Sequence, residues 1–298
     1  MPFDPLLRRT AAGLAPRPEL TQGALVTGVR LPRYGSGSYF GFLITARCDL
    51  AHVRTDTVNL LPIVPLAEWL MFDGCIVILL ARVLTLESRL AELAEALSPA
   101  LRGLIGNEWK AGYELFIAAD STIDSGTKDK FHSALDEFSE LSKVLQTKTE
   151  SPSAVKHALA TSKNFQSLVE RERPKRIVSL IENKILDAHF LPVVRPSELL
   201  GEGPGYVILF RQILSFPGNL LEPLRLGVRS LDDLPDAIRT QAAENLTCPS
   251  EIVANVKSPH VEQILQRFAN VFDRVGVVDC SKRYREWLVK KTCDGIQV

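Results

Sequence analysis

The chain has 298 residues, with 35 basic against 35 acidic side chains, 46% hydrophobic and 7% aromatic residues, 18 Gly and 18 Pro. This composition excludes a disordered chain, a collagen and a small disulfide scaffold, and the length suits two domains or one large domain with an insertion. A net charge of zero lacks the basic excess usual in proteins held to nucleic acid by phosphate contacts, so only a local basic face could serve that role.

Met1 to Leu20 carries Arg8, Arg9, Arg17 and four prolines, and it lacks the apolar core that a secretory signal needs, so no export is expected. Ala24 to Leu31 (ALVTGVRL) is apolar and β-branched and predicts a strand, followed by a loop at Pro32 to Ser38 (PRYGSGS). Tyr39 to Thr45 (YFGFLIT) and Thr57 to Val64 (TVNLLPIV) predict two more strands, the last ended by Pro65. Three short strands without a helical period between them predict a small antiparallel barrel or meander. The most apolar stretch, Leu60 to Leu84, is broken by Pro62, Pro65, Glu68, Asp73, Gly74 and Arg82. It falls short of the roughly 18 uninterrupted apolar residues of a membrane span and reads as buried strand, then buried helix.

From Ala67 to Ile185 the pattern is helical, with Leu84, Leu86, Leu90, Leu93 and Leu97 in one segment and Phe131, Leu135, Phe138, Leu141, Val144 and Leu145 in another. Ser125-Gly126 lies in a polar break, Ser151-Pro152 starts a helix, and Pro174 is placed to open one more through Ile177, Leu180, Ile181 and Ile185. Strand signals return at His189 to Val194 and Tyr206 to Ile213, around a Gly-rich turn at Gly201 to Gly205, with a short strand at Leu224 to Val228. Asp232 to Glu244 predicts a helix. Ser258 to Val275 predicts another, with Val261, Ile264, Leu265, Phe268, Val271 and Phe272 on one face and Arg267 and Arg274 off it. A last amphipathic helix is expected at Ser281 to Lys290. The predicted class is α+β: a small antiparallel β-barrel from 20–66 and 186–256, interrupted by a helical insertion at 67–185 and followed by C-terminal helices at 257–298.

This order resembles the start of PemK/MazF-like toxins: a Gly-initiated strand (Gly23 to Leu31), a Gly/Ser loop, a strand ending in Thr45 (GFLIT), a polar loop, and a strand ending at proline (NLLPIVP). Tyr206 to Leu226 looks like that fold's returning strand and the Leu-rich turn after it. The resemblance implies a small β-barrel, usually an RNA-cleaving dimer. The chain departs from it where Tyr39-Phe40 replaces the usual Arg-Pro, and in the long helical insertion. ITARCDLA (Ile44 to Ala51), LLPIVPLAEWL (Leu60 to Leu70) and SPHVEQILQRFANVFDRVGV (Ser258 to Val277) also resemble uncharacterised prokaryotic proteins with a Cys-Asp pair after the second strand. That resemblance implies a mobile-element or anti-phage context.

The densest polar constellation is Arg47 to Asp56, a loop expected directly after a buried strand. Arg47 or a protonated His52 could lower the Cys48 pKa while Asp49 oriented the imidazole, making Cys48 a nucleophile. On the bland reading, strand alternation buries Cys48 beside Ile44 and Ala46 as a small hydrophobe, and Asp49 forms an Asx-turn. Metal-independent RNA cleavage would take its base, acid and cation from His52, Asp49, Arg47, Arg54 and Arg30. Five widely spaced cysteines, with no CxxC pair and no clustered histidine, indicate reduced thiols in a cytoplasmic protein, with no metal site. No cofactor is expected either, because neither Gly35 to Gly37 nor Gly201 to Gly205 fits a phosphate loop.

His132, His157 and His260 read as surface or interfacial residues, and His189 is given no role. Glu170 to Arg176 (ERERPKR) reads as a solvated helix end in preference to a nucleic-acid contact. Phe268 and Phe272 serve either core packing or a partner's groove or dimer axis. The leading expectation is a non-catalytic or degenerate toxin-like barrel, acting as an interaction or sensing subunit of a prokaryotic multi-protein system. Its partners would be neighbouring gene products or a second copy of the chain, without a membrane. The alternatives are an endoribonuclease centred on Arg47 to Arg54 and a cysteine hydrolase using Cys48.

Overall fold

In the computed structural model, which describes residues 7–9, 19–52, 56–97, 108–112, 114–115, 123–147, 150–192 and 205–273, eight strands form one sheet. They are β1 (Leu7–Arg9), β2 (Ala24–Arg30), β3 (Ser38–Leu43), β4 (Thr57–Pro65), β5 (Ala188–Pro192), β6 (Gly205–Leu209), β7 (Leu214–Pro217) and β8 (Ile252–Val256). The order is β1-β8-β2-β3-β4-β6-β5, every pairing is antiparallel, and the sheet curls into a half-barrel. The α+β class with a curled antiparallel sheet is the one the strand and helix patterns predict.

Strand β4 is long enough to serve two partners, pairing Ile63 with Ile208 of β6 near one end and Val58 with Phe216 of β7 near the other. A turn after Leu209 therefore splits the expected Tyr206 to Ile213 strand. In β2 the register shifts between Val26 and Val29. Gly28 sits in this bulge at φ +75°, where a Cβ would lie 2.1 Å from Ser250 Oγ and 2.4 Å from the Thr247 carbonyl. Only glycine fits both the backbone angle and that close approach.

Strand alternation builds two cores. Ala24, Val26, Leu43, Leu60, Val64, Val207 and Phe216 face the helical insertion. Leu25, Phe42, Leu61, Ile63, Ile208 and Phe210 face the other way, toward helix α10 (His260–Asp273). Helix α1 (Arg47–His52) links β3 to β4.

The insertion comprises α2 (Leu66–Met71), α3 (Asp73–Leu97), α4 (Glu108–Gly112), α5 (Ser125–Thr147), α6 (Pro152–Thr161) and α7 (Lys163–Ile181). In α3, Cys75, Leu79, Leu86 and Leu90 are buried at helical spacing, and α3 packs on α5 and α7. Leu66–Glu95 is long and apolar enough by composition to cross a membrane, yet 44% of its most apolar window is buried within the fold.

Ser151 caps α6 as its sequence predicts, accepting from the Ala154 N–H at 3.2 Å. Ser125 and Gly126 are not a break but the first residues of α5. Pro174 does not open a helix; it lies inside α7, which Ser162 caps at Phe165 N–H. Phe165, Leu168 and Val169 before the proline and Leu180 after it enter the same core. That shared burial outweighs the roughly 3 kcal/mol penalty of an interior proline. The expected strand at Leu224 to Val228 is also corrected: Leu221–Leu226 is helix α8, and only Val228 bridges to Ser250. Leu221 and Leu224 are buried at i, i+3, a helical rather than an alternating spacing. Helix α9 spans Asp236–Asn245 and α10 spans His260–Asp273.

Candidate functional site

After β3 the chain does not continue as strand or open into a loop. Thr45 turns it, accepting from the Asn59 N–H through Oγ1 at 2.9 Å, and α1 begins at Arg47. Leu50 is the anchor of this short helix, buried in the core with its N–H bonded to the Ala46 carbonyl. With Leu50 turned inward, Arg47, Cys48 and Asp49 are exposed. The strand alternation that would bury Cys48 does not hold here, because helical spacing replaces it.

The Cys48 thiol lies 3.6 Å from Asp49 Oδ1, and Arg47 pairs with Glu262 of α10 at 3.7 Å. Both partners of that ion pair are about half exposed, so it ties α1 to α10 only loosely. His52 ends α1; its side chain and all of Arg54 lie outside the described residues. Arg30 is not brought to this group. It ends β2 opposite Ser38, at the start of β3, and its Nη1 reaches the Ala243 carbonyl of α9 at 3.5 Å. Helix α1 leaves from the far end of β3, about 15 Å of strand away. Among the described side chains, the structure thus brings together Arg47, Cys48 and Asp49 on one exposed helical turn.

Phe268 packs into the α10 core, edge-on to Phe210 at 6.0 Å between ring centroids. Phe272 meets Phe268 edge-on at 5.1 Å between ring centroids and is 48% exposed. Of this aromatic pair, then, Phe268 serves core packing and Phe272 is open to solvent.

The structure also assembles polar groups that the sequence reading passes over. His189, given no role, is buried in β5, stacked on Phe210. Arg267, read as off the apolar face of α10, turns toward it. Its guanidinium donates to the carbonyls of Ile185 (2.7 Å) and Ala188 (3.1 Å), to Asn183 Oδ1, and to His189 Nδ1 (3.1 Å). Arginine only donates, so His189 Nδ1 accepts and the ring is neutral. Burial, then the charges of Arg267 and His260, push the His189 pKa down to about 4. An apolar helix face with one arginine beside it, and a histidine at a strand start, were the signals available.

A second cluster joins the β2–β3 connection to α2 and α3. The Tyr34 hydroxyl donates to Asp73 Oδ2 at 2.6 Å, Arg33 pairs with Asp73 Oδ1 at 3.3 Å, and the Tyr39 hydroxyl donates to Glu68 at 2.9 Å. Burial raises the Asp73 pKa, while the Tyr34 hydrogen bond and Arg33 act against that rise. Burial and the adjacent carboxylate push the Tyr34 hydroxyl far above the usual phenol range, so it stays a proton donor.

Among the described residues, no group of three or more His, Cys, Asp and Glu side chains could hold a metal ion. No protein-family model, curated protein or solved structure matches the chain.

Proposed function

We propose that the chain is a toxin-like half-barrel, related to the PemK/MazF group, that acts without catalysis as an interaction or sensing subunit of a prokaryotic multi-protein system, with anti-phage defence as its context. The observation that carries this reading is that helices cover both faces of the sheet, the insertion on one and α10 on the other. Arg47, Cys48, Asp49 and Glu262 are exposed near the α1–α10 junction and Phe272 is exposed toward the other end of α10; of these, the arginine and the aromatic ring are types enriched at protein interfaces.

An endoribonuclease is the second reading. The joint exposure of Arg47, Cys48 and Asp49 favours it. One experiment separates the two: induced expression in a bacterial host, with growth and total RNA followed together, beside co-expression and co-purification with the products of adjacent genes. The interaction reading expects normal growth, intact RNA and a stable complex. Growth arrest with RNA cleavage, both lost in Asp49→Ala and His52→Ala, overturns it.

A further inference from the structure

Between α3 and α7 lies an open cavity of about 280 Å³ whose lining departs from the chain's charge balance. Ile78, Ala81 and Leu168 supply its apolar part. Arg82, Arg171, Lys175 and Arg176 bring four cations against one lining carboxylate, Glu172. Arg82 is committed elsewhere: its guanidinium makes a two-point bridge to Glu137 of α5, at 2.7 and 2.6 Å, which holds α3 to α5. That leaves Arg171, Lys175 and Arg176 to Glu172, three positive charges to one negative, in a chain whose net charge is zero.

The geometry of Glu172 shows what the cavity attracts. Its carboxylate accepts from Arg171 Nε at 3.0 Å and from Lys175 Nζ at 3.2 Å, and these bonds lower its pKa. A single internal carboxylate therefore occupies the focus of two cations, while Arg176 meets no carboxylate among the described residues. The spacing 171, 175 and 172, 176 puts these groups on one face of α7, one turn apart. Thr85 and Ser179 add hydroxyls to the lining.

We propose that this groove binds a nucleotide. The polyphosphate would lie on Arg171, Lys175 and Arg176 and displace the Glu172 carboxylate, and the base would lie on exposed Ala81, above the core side chains of Ile78 and Leu168. The lining explains the choice: cations alone would suit any anion, but the apolar part beside them adds a place for a flat ring. The volume admits one small molecule with its tail open to solvent, and it is too small for a folded partner element. This inference goes beyond the interaction-subunit reading and does not depend on it.

The test is calorimetric titration of the full chain with ATP at low salt, alongside inorganic pyrophosphate and adenosine. One saturable ATP site is expected, weakened about tenfold or more in Lys175→Ser and Arg176→Ser and tightened in Glu172→Gln. Ala81→Phe, at an exposed position, should weaken ATP and leave pyrophosphate binding in place. All four variants change accessible side chains and leave the Arg82–Glu137 bridge intact, so thermal melting should match the wild type. Failure of both ATP and pyrophosphate to saturate at millimolar concentration overturns the proposal. So does ATP binding unchanged in the Lys175 and Arg176 variants. Single-stranded RNA bound at these residues, and not displaced by ATP, would make the groove a backbone-docking surface and would also overturn the nucleotide assignment.

Discussion

On the face that carries Leu60, Val207 and Phe216, the sheet is covered by α2 and the helices packed behind it, in a core that continues through α3, α5 and α7. On the face that carries Phe42, Leu61 and Ile208, among the described residues, the main covering element is the single helix α10. The first cover is held by many apolar contacts spread over long helices, so no one side chain decides it. The second is held by one turn after another of α10 and by two concentrated devices, the Phe210–Phe268 contact and the Arg267 hydrogen bonds. A cover built this way is expected to be cooperative within itself and separable from the rest. Its loss would leave the insertion-side core standing.

The sharpest way to break this contrast is Phe210→Ala. Phe210 is fully buried, touches both Phe268 and His189, and lies under the Arg267 guanidinium at 5.9 Å. Its truncation should cost about 4 kcal/mol in urea unfolding. Hydrogen exchange should quicken across α10 more than across α3. Equal quickening in both helices would show one cooperative unit and refute the separation. Arg267→Ala should cost about 3 kcal/mol by orphaning the Ile185 and Ala188 carbonyls and His189 Nδ1. Arg267→Lys should recover only part of that, since an ammonium cannot span the same acceptors from one fork.

Acid should act on the same side of the sheet. His189 is held neutral with a pKa of about 4 against 6.5 unperturbed. Between those values the unfolded chain takes up a proton that the native state refuses, so stability falls as pH drops from about 6.5 toward 4. The limit is about 3 kcal/mol, most of it lost by the lower end of that window. His189→Gln, whose amide oxygen can still accept from Arg267, should flatten this part of the pH profile. An unchanged profile in that variant would place the acid sensitivity elsewhere.

The same contrast marks what could be read from the sequence. Strands β2, β3 and β4, the insertion helices and α10 are legible because apolar residues recur at two or at three and four, and those periods survive folding. The misreadings occur where a tertiary contact overrides a local rule. Leu50 pulls residues 47–52 into a helix that strand alternation does not foresee, and so exposes Cys48. Core burial on both sides of Pro174 carries α7 through a residue that ordinarily opens a helix. Arg30 and Arg47 look like neighbours because both flank strand ends, but antiparallel pairing sets them at opposite ends of a hairpin. Arg267 and His189 are 78 residues apart, and nothing local to either announces the other.

The insertion side has a polar clasp of its own, and it offers the smallest and most discriminating effect. Tyr34 donates to Asp73 at the start of α3, and Arg33, lying over the Phe72 ring at 4.7 Å, pairs with the other carboxylate oxygen. Tyr34→Phe removes one donor and leaves a mostly buried carboxylate short of a partner, which should cost about 1–2 kcal/mol at neutral pH. Its sign with pH is opposite to that of His189. Burial raises the folded pKa of Asp73 above 3.8, so the native state binds the proton more tightly than the unfolded chain, and protonation relieves the cost of burying the charge. Without the Tyr34 hydrogen bond, which lowers that pKa, the rise is larger, so the deficit of Tyr34→Phe should shrink as pH falls; that of Arg267→Ala should shrink too, because the Arg267 charge helps to hold the His189 pKa down. Urea unfolding of both variants at pH 7 and pH 5 checks this. A Tyr34→Phe deficit that is constant across that interval would mean Asp73 stays charged in both, with Arg33 alone sufficient to hold it.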